Sequence, residues 1–497
     1  MKYSLSFLML TIMFTGCMDD GETGLKGADS TSSLMNMTTE PAGSNCTYGG
    51  VKIELGLDTD HNLILDHSEV TDTEYICNGN VDIHGWGIPE LIETNDSGHA
   101  RYPQVSRDEN GNAMAIWILN DGTRDNIWAN SYMKGFGWST PELLETDNGG
   151  NAMRPQIAMN GDGDAIAIWY QVDSNNHWDV WANSYMKGTG WSGPIRIESD
   201  DGGTVSPDVA IDDNGNTIAV WGQSDSASRY SIWSNRYVNG VGWSVPELLE
   251  TDDSGGAYHA KVAMDKNGNA TAVWYQSDGT SYNIWSNRYV MGTGWGTAQR
   301  LETDDVHNAY NPEIAVDDYG HIAVVWYQMD DTYANVWANY GTNGSWGVAK
   351  VIDSEDLGHA MDPQIAMDDN GIAIAVWHQN DGANDNIWSN HYTSNWGTAK
   401  LIETDDTYDA THPQIAIDAN GNAIIVWHQT DGNLGSIVSN RYISGLGWQG
   451  VQLVGVSSGN VDYPQIAMDS VGNATVVWPQ VDSNNKMSIV ANSYNDQ

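Results

Sequence analysis

The stretch Asp369 to Gly382 reads DNGIAIAVWHQNDG. Asn370-Gly371 is the pair a tight hairpin needs, because glycine takes a positive φ at no steric cost. Ile372 to Trp377 is a near-continuous apolar run, and Asp381-Gly382 opens a second turn. The phrase recurs eight times, with Trp at 117, 169, 221, 274, 326, 377, 427 and 478. Another Trp series, the first in chain order, stands at 86, 138, 191, 243, 295, 346, 396 and 448, so that the series at 117 to 478 is the second, and the period is 50 to 53 residues. Each unit reads as four short strands, exemplified by WSVPELLE, PQIAMD, AIAVWHQ and NIWSNRY from different copies. Helical periodicity is absent.

Strands that are apolar on both faces must be covered on both faces, and four strands per repeat at this period point to stacked propeller blades. The chain presents an outer strand first (Trp86 to Glu93) and a third strand last (Ser488 to Tyr494). These pieces complete one another, so an all-β, eight-bladed ring over residues 86–497 is expected, its first strand closing the last blade and leaving no raw edge. The turn Arg236-Tyr237-Val238-Asn239-Gly240-Val241-Gly242-Trp243 keeps the Gly and Trp of the Asp-box turn, Ser-x-Asp-x-Gly-x-x-Trp, and lacks its Asp. In strand order and in this turn the repeat resembles the sialidase-type propeller. The resemblance is architectural: a converging arginine cluster and a Tyr-Glu pair are not recognisable, and Arg236, Arg288 and Arg441 share one repeat position, so they are expected to point outward from separate blades. No enzyme is expected on these grounds.

Two features repeat too faithfully to be separate sites. Asp stands four residues after each second-series Trp (Asp121 through Asp482) and Asn near the end of each third strand (Asn130 through Asn492). Both read as structural, since a repeated turn needs the same polar contact every time. The residue before the inner strand's Pro, or before Ala260, varies instead: Tyr102, Arg154, Ser206, His259, Asn311, Asp362, His412 and Tyr463. These positions should ring the central channel, where polar and aromatic variety suits an asymmetric ligand pocket.

The balance of 66 acidic against 20 basic residues, formally -46, makes nucleic acid and anionic membrane surfaces poor partners for the body. The beginning, MKYSLSFLMLTIMFTGCMDD, reads as an export signal. Phe14-Thr15-Gly16-Cys17 resembles the bacterial lipobox, which implies signal residues 1–17, lipid on Cys17 and, with Met18 following, the outer membrane or cell surface. Residues 18–43 read as a flexible tether. With Cys17 lipidated, Cys46 and Cys77 are the remaining pair in an oxidising compartment.

Between them DTDHNLILDHSE places Asp58, Asp60, Asn62, Asp66 and Glu69 at positions 1, 3, 5, 9 and 12 of an EF-hand-like loop, with the Ile64 carbonyl at 7. Leu63 stands where that loop has Gly. A calcium site and a plain polar hairpin both fit. Cys46, Gly49-Gly50, Gly56-x-Asp58, Leu65, Glu69 and Cys77-Asn78-Gly79 resemble a small cysteine-paired module of unknown function from bacterial surface lipoproteins, here residues 44–80.

The expectation is therefore an exported, lipid-anchored monomer, calcium-assisted if the loop is occupied, whose propeller binds an extracellular glycan or protein without catalysis. Two alternatives stand beside it: a propeller lectin with repeated sugar sites between blades, which needs the strand-start Trp residues exposed, and a degenerate sialidase-like carbohydrate-active enzyme.

Overall fold

The computed structural model describes residues 32–40, 50–77 apart from 61 and 63, and 85–495 apart from short loop segments at 95–97, 147–148, 200–201, 225–228, 251–253, 304–305, 354–357, 405–406, 457–460, 462 and 483. The export signal, Cys17, Cys46 and the proposed pairing with Cys77 lie outside what it describes. Two compact units divide at Asp82 and Ile83. Among the described residues no helix is long and apolar enough to cross a membrane.

The first unit is a three-stranded antiparallel sheet, β1 (Ser32–Glu40), β2 (Gly50–Asp58) and β3 (Val70–Cys77), in that order. This corrects the sequence reading, which ran a flexible tether to residue 43 and began the module at 44. Residues 32–40 pair with β2 along their whole length, from Ser32 opposite Asp58 to Glu40 opposite Gly50. The Met and Thr of this stretch suit a half-covered strand, and composition alone hid it.

The second unit is an eight-bladed propeller. Blade 1 shows the plan: inner strand Ala100–Arg107, second strand Ala113–Asn120, third strand Asp125–Met133, then an outer strand in two pieces, Gly137–Trp138 and Glu142–Leu143. The inner strands of blades 2 to 8 begin at Ala152, Thr204, Ala257, Ala309, Ala360, Ala410 and Gln465. Blade 8 is completed from the other end of the unit, Gly85–Trp86 and Glu90–Leu91 pairing with its third strand Met487–Asn495. The ring is closed as expected.

The outer strand departs from the four simple strands foreseen. In blade 1 it breaks at Ser139-Thr140-Pro141, since Pro has no N–H to give the ladder. The invariant third-strand Asn works across this gap. Asn130 Nδ2 donates to the carbonyl of Ile92, in the preceding blade's outer edge, at 2.9 Å, and Asn130 Oδ1 accepts from the Ser139 hydroxyl. All eight copies make the blade-to-blade bond, with Asn183, Asn235, Asn287, Asn339, Asn390, Asn440 and Asn492 reaching Leu144, Ile197, Leu249, Leu301, Ile352, Ile402 and Val454. The post-Trp Asp acts locally: Asp121 Oδ1 accepts from the amides of Thr123 and Arg124, and Asp278, Asp381 and Asp431 repeat the pattern. Both sets are mortar.

Between neighbouring sheets the second-series Trp residues are fully buried. Trp169 of blade 2 packs on Ile116, Ile118 and Ile127 of blade 1, and Trp117 packs on Val477 and Ile489 of blade 8, so the closing junction is built like the others. Truncating such a Trp should cost about 3–5 kcal/mol.

Candidate functional site: the channel mouth

The inner strands of blades 1 to 7 are interrupted by an irregularity just after they start, and that of blade 8 begins two residues past the same position, at Gln465. In blade 2 the pairing with the second strand jumps from Met153 to Gln156, and equivalent shifts occur in blades 1 and 3 to 7. The residues at these interruptions are the variable positions picked out from sequence, and the structure gives them a shared backbone. Tyr102, Arg154, Ser206, His259, Asn311, Asp362, His412 and Tyr463 all have φ between 39° and 53°.

For an L-residue this left-handed conformation costs about 1–2 kcal/mol; only Gly is free of the penalty, with Asn and Asp more tolerant than most. The chain uses Gly where a positive φ serves only a turn, as at Gly111, Gly163 and Gly371 between first and second strands. It never does so at the mouth. Side chains are kept there against the backbone's preference, and such retained strain marks functional sites.

The rim residues from Arg154 round to Tyr463 line a cavity of about 360 Å³ together with the residues two positions further along the strands. Tyr102 joins through its ring, whose centre lies 6.3 Å from that of Tyr463, and the Arg154 guanidinium sits over it at 5.9 Å. Tyr463 is in turn 4.3 Å from the His412 ring. Four consecutive blades thus give an unbroken cationic and aromatic wall. Across from Arg154, Asp362 lies 3.7 Å from His378.

Sequence reasoning missed two parts of this site. The first is the deeper tier, where Lys261 pairs with Glu313 at 2.9 Å and Asp208 accepts the Val262 amide at 2.9 Å. Burial pushes Asp208 up to about 6, against the pull of Lys261. Burial works against the Lys261 ammonium as well, yet Glu313 and Asp208 outweigh it and hold its pKa above the usual lysine value. Desolvation, with Lys261 and Arg154 nearby, pushes His259 down to about 4, so its imidazole is neutral at pH 7 and can both donate and accept.

The second is a tyrosine sector beside blades 4 and 5. His259 stacks on Tyr275 at 5.5 Å, Tyr275 meets Tyr258 at 5.7 Å and Tyr310 at 5.2 Å, and Tyr310 meets Tyr282 and Tyr327 at 5.4 and 5.6 Å. Burial and the neighbouring phenols push Tyr275 up to about 12. The signal was present in the residue after each second-series Trp, which varies as the rim does; Tyr275 lies opposite Tyr258, the residue just before the rim His259.

The other predicted site lies in the first unit. Ligand oxygens of Asp58, Asp60 and Glu69 fall within 4.8 Å of one another. Asn62 Nδ2 donates to Asp60 and Asp66, which ties Asn62 and Asp66 to the edge of the group. Glu69 also serves the loop itself: Oε1 accepts from the Thr59 hydroxyl and amide, and Oε2 from the Asp66 amide. These bonds, led by the Thr59 hydroxyl, hold its pKa down to about 2. An ionised carboxylate set of this kind fits a hard divalent cation. Ile64 is exposed. In sequence the ETDD loops, with Asp252, Asp253, Asp304, Asp305, Asp405 and Asp406, read either as clustered carboxylates for calcium or as plain solubilising surface, and they lie outside the described residues.

The strand-start Trp residues do not meet the requirement of the repeated-lectin alternative. They are partly buried and packed on the blade cores, Trp138 edge-on to Tyr132 at 5.5 Å and Trp295 to Tyr289 at 5.5 Å. The arginines of the third strand behave as foreseen, Arg236 lying over Tyr289 and Arg441 over Tyr494 of the next blade, away from the channel.

Residues 32–77 match the family described as a domain of unknown function, DUF7151. No curated protein matches the chain. Among solved structures it is similar to the BP39L lectin from Burkholderia pseudomallei (11% identity, 72% of this chain and 100% of that one, TM-score 0.48) and to the polysaccharide lyase Uly1 (10% identity, 74% and 94%, TM-score 0.46). It is also similar to a NanB sialidase variant from Streptococcus pneumoniae (11% identity, 82% and 70%, TM-score 0.40). These are likenesses of fold alone.

Proposed function

We propose that this chain is a surface protein, anchored by lipid at Cys17, whose propeller binds an extracellular glycan at the channel mouth without transforming it. One observation carries the reading. Eight non-glycine residues of differing chemistry are held at positive φ around one cavity, although the same fold uses glycine elsewhere for that backbone. A site that keeps Tyr, Arg and His there at a conformational cost is built to present those side chains.

The chemistry favours a sugar over a flat protein surface. Tyr102 and Tyr463 offer rings to C–H groups, while Gln156, Asn311, Gln364 and neutral His259 offer donors and acceptors to hydroxyls. Calcium at Asp58, Asp60 and Glu69 belongs to this proposal as a stabiliser of the first unit, apart from the mouth.

The test is a glycan array with the full exported chain, in calcium and in chelator, repeated with Arg154→Ala and Tyr463→Ala. Binding to a defined glycan set that both variants lose supports the reading. Binding that both retain overturns it.

A second reading has one observation behind it. Asp208, two residues beyond the rim Ser206 and within the field of Lys261 and Glu313, is pushed by burial up to about 6, the pKa of a proton donor for glycoside chemistry. Turnover of an array-identified glycan, abolished by Asp208→Asn, would replace binding by catalysis.

A further inference from the structure

At four blade junctions a residue of the third strand reaches the next blade's tyrosine and fills the groove between them. Arg236 covers the ring of Tyr289 at 5.6 Å, and Arg441 covers Tyr494 at 5.5 Å. His391 meets Tyr442 at 4.5 Å, and Tyr340 lies flat on Tyr392 at 3.8 Å with an interplanar angle of 16°. In each case a planar, delocalised group from one blade occupies the tyrosine of the next. At the junction of blades 1 and 2 the corresponding residue is Ser131, and among the described residues the ring that meets Tyr185 is Trp191 of its own blade, edge-on at 5.4 Å.

A groove of about 620 Å³ stands there. Met114 and Trp138 of blade 1 and Met159 and Tyr185 of blade 2 contribute to its lining, and Phe136 forms part of its rim with 86% of its surface exposed. The next junction also has serine, Ser184, but Thr189 replaces Phe136 and the groove shrinks to about 150 Å³. It opens at the hairpin ends of the inner strands, away from the mouth.

We infer that the blade 1–2 groove is a second binding site, which takes one uncharged aromatic ring from an extracellular polypeptide and stacks it on Tyr185 as Tyr340 stacks on Tyr392. The protein's own filled grooves define the ligand chemistry. Between aromatic and guanidinium occupants, Lys187 decides: it stands where Met291 accepts from Arg236, so a guanidinium would lose that acceptor, and the Asp108 carboxylate is already paired with the Lys187 ammonium at 3.1 Å. The exposed Phe136 and Met133 beside the opening are surface that the residues flanking such a ring would cover. The site is independent of the glycan reading.

Titration of the full chain with Ac-Gly-Gly-Tyr-Gly-Gly-amide, with its Arg and Ala counterparts, and with p-cresol tests this. Tyr-peptide binding, at least tenfold weaker for the Arg and Ala peptides and tighter than p-cresol, is expected. Ser131→Tyr should remove the site, and Phe136→Thr, which copies the narrower groove at the next junction, should weaken Tyr-peptide binding. Thermal melts of the two variants serve as fold controls. Equal binding to wild type and Ser131→Tyr, or no binding to wild type, overturns the inference. p-Cresol binding as tightly as the Tyr peptide overturns the polypeptide occupant.

Discussion

Asn130 Nδ2 donates to the Ile92 carbonyl at 2.9 Å, joining the first complete blade to the strand that closes the last one. The same bond recurs at every blade junction, so a residue pair distant from any ligand holds the ring shut. Leaving the Ile92 carbonyl without its partner should cost about 1–3 kcal/mol. Asn130→Ala and Asn339→Ala should lower the denaturation midpoint alike in urea melts. An effect confined to one of the two would show that closure is unequal around the ring.

Trp169 Nε1 donates to Gln171 Oε1 at 2.9 Å, and six other blades repeat the pair. Blade 1 has Leu119 instead, and the buried Trp117 Nε1 has no partner there. Gln276→Leu should therefore destabilise by about 1–3 kcal/mol, because it strands the Trp274 indole N–H in the core. Leu119→Gln, which gives Trp117 an acceptor, should be neutral or stabilising. Opposite signs for the two in calorimetry are the expected outcome.

Strain at the mouth makes stability and binding separable. Arg154→Gly relieves a residue at φ 52° and should leave stability unchanged or raise it by about 1 kcal/mol while abolishing glycan capture. Ser206→Gly should match it in stability. A loss of more than about 1 kcal/mol in Arg154→Gly would mean that the side chain is itself mortar.

Burial, with a smaller effect of Lys400, lowers His391 from 6.5 to about 4 where its ring packs on Tyr442 and Trp448. Between those values the unfolded chain binds the proton that the folded one refuses, so this residue's contribution is intact above pH 6.5 and is lost as pH falls towards 4. His391→Gln should flatten part of the stability decline over that window. An unchanged pH profile would show that the imidazole is freely solvated.

Calcium should raise the melting temperature of the first unit, and Asp58→Asn with Asp60→Asn should erase the gain. The array in chelator separates this from glycan binding.

Much of the ring was legible because it is repeated. Eight copies of Trp and turn Gly fix strand number and order, and the unmatched pieces at Trp86 and Tyr494 dictate closure. β1 was illegible, since nine residues, seven of them Ser, Thr, Asn or Met, carry little periodic signal. The rim positions could be found by asking which repeat position varies. Their positive φ could not, because an inner-strand bulge leaves no residue preference when Tyr, Arg and His occupy it. The deeper charges and the tyrosine sector needed three dimensions: Lys261 meets Glu313 only because consecutive inner strands lie side by side around the channel.

The most direct test of the binding site is the stoichiometry of the tightest array glycan, titrated calorimetrically into wild type and Arg154→Gly. One site per chain, lost in the variant, is the predicted result. Several equivalent sites per chain, or undiminished binding by Arg154→Gly, would contradict a ligand held at the single mouth of the ring.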